Sequence, residues 1–158
     1  MTSAKTARQP KPETDNVWTA EERAAVQAAA SERKSQAGRD QADERAAGEA
    51  ELTAALAKLP ADDRAMAERL HELVSAAAPA LVPKTYYGMP GWTTPGKNGR
   101  SICFFKPKSK FRVRYSNLGF QPGANLDDGQ MWATEFAVTE LTPSVEARIT
   151  ELVRKAVG

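Results

Sequence analysis

Large apolar residues are unevenly spaced along the chain, and the changes in spacing mark its elements. In residues 1–16 they show no period, and Pro, Lys, Thr and Ser dominate, so this lead is expected to be disordered. Thr19-Ala-Glu-Glu22 then has the form of a capping box, in which the Thr hydroxyl accepts an amide proton and the Glu carboxylate reaches back. A helix is predicted from residue 20 to about 47. Its residues are mostly Ala, Glu, Arg, Gln and Lys, and Val26 is nearly its only large apolar side chain, so most of its faces are expected to be solvated. Gly38 and Gly48 are its expected weak points. Leu52, Leu56 and Leu59 then form a stripe, predicting a separate short helix over 51–59 that docks on the domain.

A second helix is predicted from Pro60, whose missing amide proton costs nothing in a first turn, with Asp62 and Asp63 near the positive end of its dipole. Met66, Leu70, Leu73, Val74 and Ala77 define its buried face. Arg64, Glu68, His71, Glu72 and Ser75 fall on the opposite side and are expected to be solvated, with Arg64 and Glu68 an i,i+4 pair. Pro79 and Pro83 end the helix. From residue 84 to 138 the composition is strand-like, with turns expected at 88–91, 95–99 and 107–110. Phe111, Val113 and Tyr115 alternate with Arg112 and Arg114, which predicts one strand. A long connection over 116–130 leads to a last strand over 132–138. Thr142 caps a final helix with Pro143 in its first turn and a stripe of Val145, Ile149, Leu152, Val153 and Ala156.

The predicted fold is α+β: a two-layer sandwich of about five antiparallel strands, with an N-terminal and a C-terminal helix on one face. The predicted organisation is a disordered lead at 1–16, a solvated helical extension at 17–59 and a domain at 60–158.

Composition narrows the class. Of 158 residues 41% are hydrophobic and 27% charged, with a single cysteine, which excludes a disulfide scaffold and a cysteine-based zinc cluster. No run approaches the roughly 20 apolar residues of a membrane span, and residues 1–16 lack a signal-peptide core. A cytoplasmic protein without membrane partners is therefore expected. The net charge of +2 conceals a sharp asymmetry, because no acidic residue occurs from 73 to 126 while eight Lys and Arg do.

Within that basic run, Lys106, Lys108, Lys110, Arg112 and Arg114 are candidate anion-binding residues. Interleaved with aromatics on a sheet, they suit phosphate groups and stacked planar rings, so anionic ligands and nucleic acid are candidate partners. The same pattern also suits a sheet with one aromatic buried face and one wet basic face. Tyr86, Tyr87, Met89, Trp92, Phe120, Asp127, Asp128 and Trp132 are candidates to line a small-molecule pocket, and core packing is the alternative role of these aromatics. Cys103 lies inside an apolar strand, and the one histidine has no linked nucleophile, so no catalytic constellation is found and a non-enzymatic role is expected.

Several motifs occur in order: Pro60-Ala-Asp-Asp-Arg64, Tyr86-Tyr-Gly-Met-Pro90 with Trp92, Ile102-Cys-Phe-Phe105, Tyr115, Leu118-Gly-Phe120, Asn125-Leu-Asp-Asp-Gly129, Met131-Trp132 and Leu152-Val-Arg-Lys-Ala156. On these, residues 60–158 resemble the YdhG-like family of small bacterial domains, grouped with the frataxin and CyaY fold. The resemblance implies an α, antiparallel sheet, α sandwich. It further implies a frataxin-like iron chaperone that binds ferrous iron and delivers it to iron-sulfur or haem assembly proteins. An acidic ridge on the first helix would hold the metal, here Asp62, Asp63, Glu68, His71 and Glu72, since ferrous iron accepts carboxylate and imidazole donors. Glu68 and His71 have the i,i+3 spacing of a Glu-x-x-His element, though carboxylate-bridged di-iron sites use two copies of it inside a helix bundle. A solvated helix face with dipole-serving aspartates explains the same residues.

Overall fold

A stripe of apolar residues makes a helix only where it meets a partner, and the partners are visible in the computed structural model, which describes residues 19–158 apart from the side chains of 32, 35–37 and 39. The predicted lead at 1–16 lies outside the described residues. The elements run α1 (Ala20–Ala57), α2 (Ala61–Ala77), β1 (Val82–Tyr86), β2 (Met89–Thr93), β3 (Ser101–Lys106), α3 (Lys108–Phe111), β4 (Ser116–Phe120), β5 (Glu135–Val138) and α4 (Pro143–Val157). The five strands form one antiparallel sheet in the order β1-β2-β3-β4-β5, so the fold is α+β with an open meander. No helix among the described residues is long and apolar enough to cross a membrane.

The chain divides into two units, residues 1–37 and 38–158. In the first, α1 begins with the predicted capping box: Glu22 N–H donates to Thr19 Oγ1 at 3.2 Å and Thr19 N–H to Glu22 Oε2 at 3.0 Å. The described side chains of this unit are exposed, in keeping with its composition.

The second unit carries the core. Trp92, Cys103, Phe105, Leu118 and Phe120 are buried with Leu70 and Val74 of α2 and Ile149 and Val153 of α4. Leu52 and Leu56 join them from α1, so the predicted stripe is buried, but the predicted break before it is absent. The helix runs on through Gly48 because this residue is buried where α1 meets β1; a side chain there would strike the carbonyl of Pro83. The glycine permits close packing.

Three strand predictions need correction. Residues 107–115 hold no strand; the expected connection at 107–110 is there between β3 and β4, but as one helical turn, α3, that ends at Arg112. Ser109 N–H donates to Asp63 Oδ2 at 3.2 Å, Lys108 N–H donates to the buried Ser116 hydroxyl at 3.0 Å, and Arg112 takes a left-handed conformation with φ of 55°. These polar contacts wind α3 and overrule the alternation of Phe111, Val113 and Tyr115; Phe111 and Val113 are exposed. The predicted connection at 116–130 begins with β4, and the last strand is only Glu135–Val138, preceded by one bond from Phe120 N–H to the Thr134 carbonyl. The turn at 88–91 narrows to Tyr87 and Gly88, both at positive φ, and the next residues belong to β2.

Arg69 of α2 ties the two flanking helices together, pairing with both Glu146 oxygens at 2.7 and 2.9 Å and with Glu72 at 2.7 Å. The guanidinium holds the Glu146 carboxyl below its ordinary value of 4.5. A depressed carboxylate stabilises the fold above that ordinary value and loses the contribution as pH falls through the lowered one. Acid titration of Glu146→Gln should therefore show a shallower stability loss below pH 4.5 than the parent chain, followed by circular dichroism.

Candidate functional site

Cross-strand register assigns the paired sheet residues to faces, with one irregularity where the β2–β3 register shifts between Trp92 and Thr93. Pro83, Trp92, Cys103 and Phe120 stand opposite one another along one row, and all four are buried. The adjacent row has Lys84 opposite Gly91, Gly91 opposite Phe104, Phe104 opposite Gly119, and Gly119 opposite Glu135. Its residues point to the other face. Lys106 lies two residues from Phe104 and shares this second face, as Tyr86 does with Lys84.

Two glycines shape that surface. A Cβ at Gly91 would lie 2.8 Å from ring carbons of Tyr86, and one at Gly119 would strike the Phe104 ring. Each ring thus rests over the bare backbone of its neighbouring strand, half exposed. The cations stand beside the rings. Lys84 Nζ is 6.0 Å from the Tyr86 centroid, and Lys106 Nζ is 4.7 Å from that of Phe111, which is itself exposed on α3. Lys106 also approaches Glu135 at 4.0 Å, a loose surface pair. The face therefore combines three aromatic rings with two ammonium groups.

The other predicted anion-binding residues are dispersed. Lys108 pairs with Asp62 at 2.9 Å, which lowers the Asp62 carboxyl and raises the Lys108 ammonium from their ordinary ranges. Lys110 donates to the Tyr87 carbonyl, Arg114 lies over Tyr115 at 5.1 Å, and Arg112 is exposed after α3. Of the five, only Lys106 belongs to a strand. Phe104 and Lys84 were missed as site residues, and the available signal was the lone glycine inside each facing strand.

The predicted metal residues separate along α2. Asp62 is held by Lys108, while Asp63 is buried and accepts from the Ser109 amide. Glu68, His71 and Glu72 line a groove of about 430 Å³ with Glu49 of α1. His71 is not the solvated residue expected. Its Nδ1 accepts from the buried Trp92 indole at 3.1 Å, and since an indole N–H can only donate, the ring proton sits on Nε2, directed at Glu49 at 2.9 Å. Glu72 is taken by Arg69. Arg64 does not pair with Glu68; it caps α1 by donating to the carbonyls of Leu56, Ala57 and Leu59. No group of three or more His, Cys, Asp or Glu among the described residues is arranged to hold a metal ion.

The two halves of the predicted pocket do not meet. Phe120, Asp127 and Trp132 line a groove of about 370 Å³, whereas Tyr86, Tyr87 and Met89 form the β1–β2 hairpin, Trp92 is in the core, and Asp128 is exposed outside that groove's lining. Cys103 is buried, and burial pushes its thiol up to about 12, which removes the thiolate that nucleophilic chemistry requires. Comparison with family models, with curated proteins and with solved structures found no match.

Proposed function

We propose that this chain is a non-enzymatic binding module for anionic ligands bearing planar groups, single-stranded nucleic acid being the extended case. The observation that carries this reading is the second sheet face, where Tyr86 and Phe104 lie over glycines beside Lys84 and Lys106. Rings supply stacking and ammonium groups take phosphates, a combination that tolerates sequence and depends on salt. The reading includes a cytoplasmic location and a two-layer sandwich, the latter supported by the burial of Trp92, Cys103, Phe105, Leu118 and Phe120 with the helices while Lys84 stays exposed and Phe104 and Lys106 stay partly exposed.

Titration of the full chain with fluorescent oligothymidylate tests it. Phe104→Ala should weaken binding by roughly 1–3 kcal/mol, the usual worth of one stacked base. Lys84→Ala with Lys106→Ala should flatten the plot of log affinity against log salt by about 1.4, or about 0.7 per lost phosphate contact. Binding that ignores both substitutions would remove this face as the site.

A second reading rests on the resemblance to YdhG-like domains: a frataxin-like sandwich that carries ferrous iron to iron-sulfur or haem assembly proteins. Its one support in the groove is Glu68, a carboxylate with no ion-pair partner among the described residues, beside His71, Glu49 and Glu72, which are already paired. Glu68→Gln should then weaken ferrous binding measured anaerobically, and unchanged affinity would reject that groove as the metal site.

A further inference from the structure

A separate depression of about 620 Å³ lies between the end of α1, the β1–β2 turn and α3, and shares no lining residue with the His71 groove or with the face of Tyr86 and Phe104. Small-molecule sites have volumes of roughly 300–1,000 Å³, mostly apolar walls and a few polar groups. Here Ala54, Ala55, Leu59 and Pro60 supply an apolar wall, and Lys58, Lys110 and Ser109 a polar rim.

Charge gives the groove a sign. The last carbonyls of α1 would repel an anion, but Arg64 occupies those of Leu56, Ala57 and Leu59. The two acids that open α2 are also engaged, Asp62 with Lys108 and Asp63 with the Ser109 amide. Glu51 is the one carboxylate among the described lining residues, and it accepts from Thr85 Oγ1 at 3.4 Å. Against it stand two ammonium groups. Lys58 has no ion-pair partner among the described residues, and Lys110 spends one donor on the Tyr87 carbonyl and keeps two.

We propose that this groove binds a small amphipathic monoanion, a carboxylate on an apolar body, with the carboxylate between Lys58 and Lys110 and the body on the alanine wall. One engaged carboxylate against two ammonium groups suits a single negative charge, and the wall suits an alkyl or aryl body.

Calorimetric titration of the full chain with sodium octanoate, and with octyltrimethylammonium as the oppositely charged probe, tests the assignment. Octanoate should bind saturably and the cation should not. Lys58→Ala with Lys110→Ala, and separately Ala54→Phe, which fills the groove from an exposed helix position, should each weaken octanoate at least tenfold while leaving the thermal midpoint within a few degrees. Phe104→Ala, on the other surface, should leave octanoate affinity unchanged. Absence of saturable octanoate binding, equal binding of the cation, or affinity untouched by the lysine and Ala54 variants would each overturn the proposal.

Discussion

Gly48→Val is expected to destabilise the second unit by about 3 kcal/mol, the upper end of what overpacking a tight contact costs. The reason is geometric. Gly48 is buried in mid-helix, and the position of its Cβ is already occupied by the carbonyl of Pro83 in β1. A branched side chain must push α1 away from the strand, which loosens Leu52 and Leu56 in the core. Gly38 is the matched control, since nothing lies within 4 Å of a Cβ placed there. Gly38→Ala should therefore not lower stability, and its helix propensity rises by up to about 1 kcal/mol. Urea unfolding of both variants checks the contrast, and equal midpoints would contradict the tight approach of α1 to β1.

His71→Phe is the second large effect. The Trp92 side chain is 1% exposed, and its indole N–H has His71 Nδ1 as acceptor. Removing that acceptor strands a buried donor, which costs about 1–3 kcal/mol, and it also leaves Glu49 without its imidazole partner. Trp92→Phe removes the donor itself along with packing volume. The double variant should accordingly be more stable than the sum of the single losses predicts, by about 1 kcal/mol or more. Additive losses would show that the indole and imidazole do not interact, and that α1, α2 and β2 are not joined through His71.

Both effects arise at residues whose roles were hidden in the sequence, and the reason is the same in each case. Periodicity reports which side of an element is apolar, so the faces of α2 and α4 were legible from Leu70, Val74, Ile149 and Val153. It carries no record of a close backbone approach or of a polar contact between distant residues. Gly48 read as a helix breaker, and His71 as a solvated residue, because Pro83 and Trp92 come from elsewhere in the chain. The alternation at 111–115 was genuine but subordinate: the Ser116 hydroxyl and Asp63 carboxylate hold the Lys108 and Ser109 amides, and the Arg112 and Val113 amides turn back to the Lys108 carbonyl instead of pairing with a neighbouring strand.

The candidate surface was legible in part. Lys106 stood out in the acid-free run, but Phe104 sits within Ile102-Cys-Phe-Phe105, where an unbroken apolar stretch gives no sign of which residue turns away from the core. The lone glycine at 119 is the one hint in the sequence, and the register, which sets it opposite Phe104, gives that hint its meaning.

On the proposed reading, the face with Tyr86 and Phe104 over their glycines is where the ligand is expected to bind. Chemical-shift mapping of the full chain during titration with oligothymidylate addresses it residue by residue. The largest shifts are predicted at Lys84, Tyr86, Gly91, Phe104, Lys106 and Gly119, with the buried row of Trp92 and Cys103 moving little. Saturable binding whose shifts centre on the His71 groove or on Trp132, and leave Phe104 and Gly119 unmoved, would contradict the account.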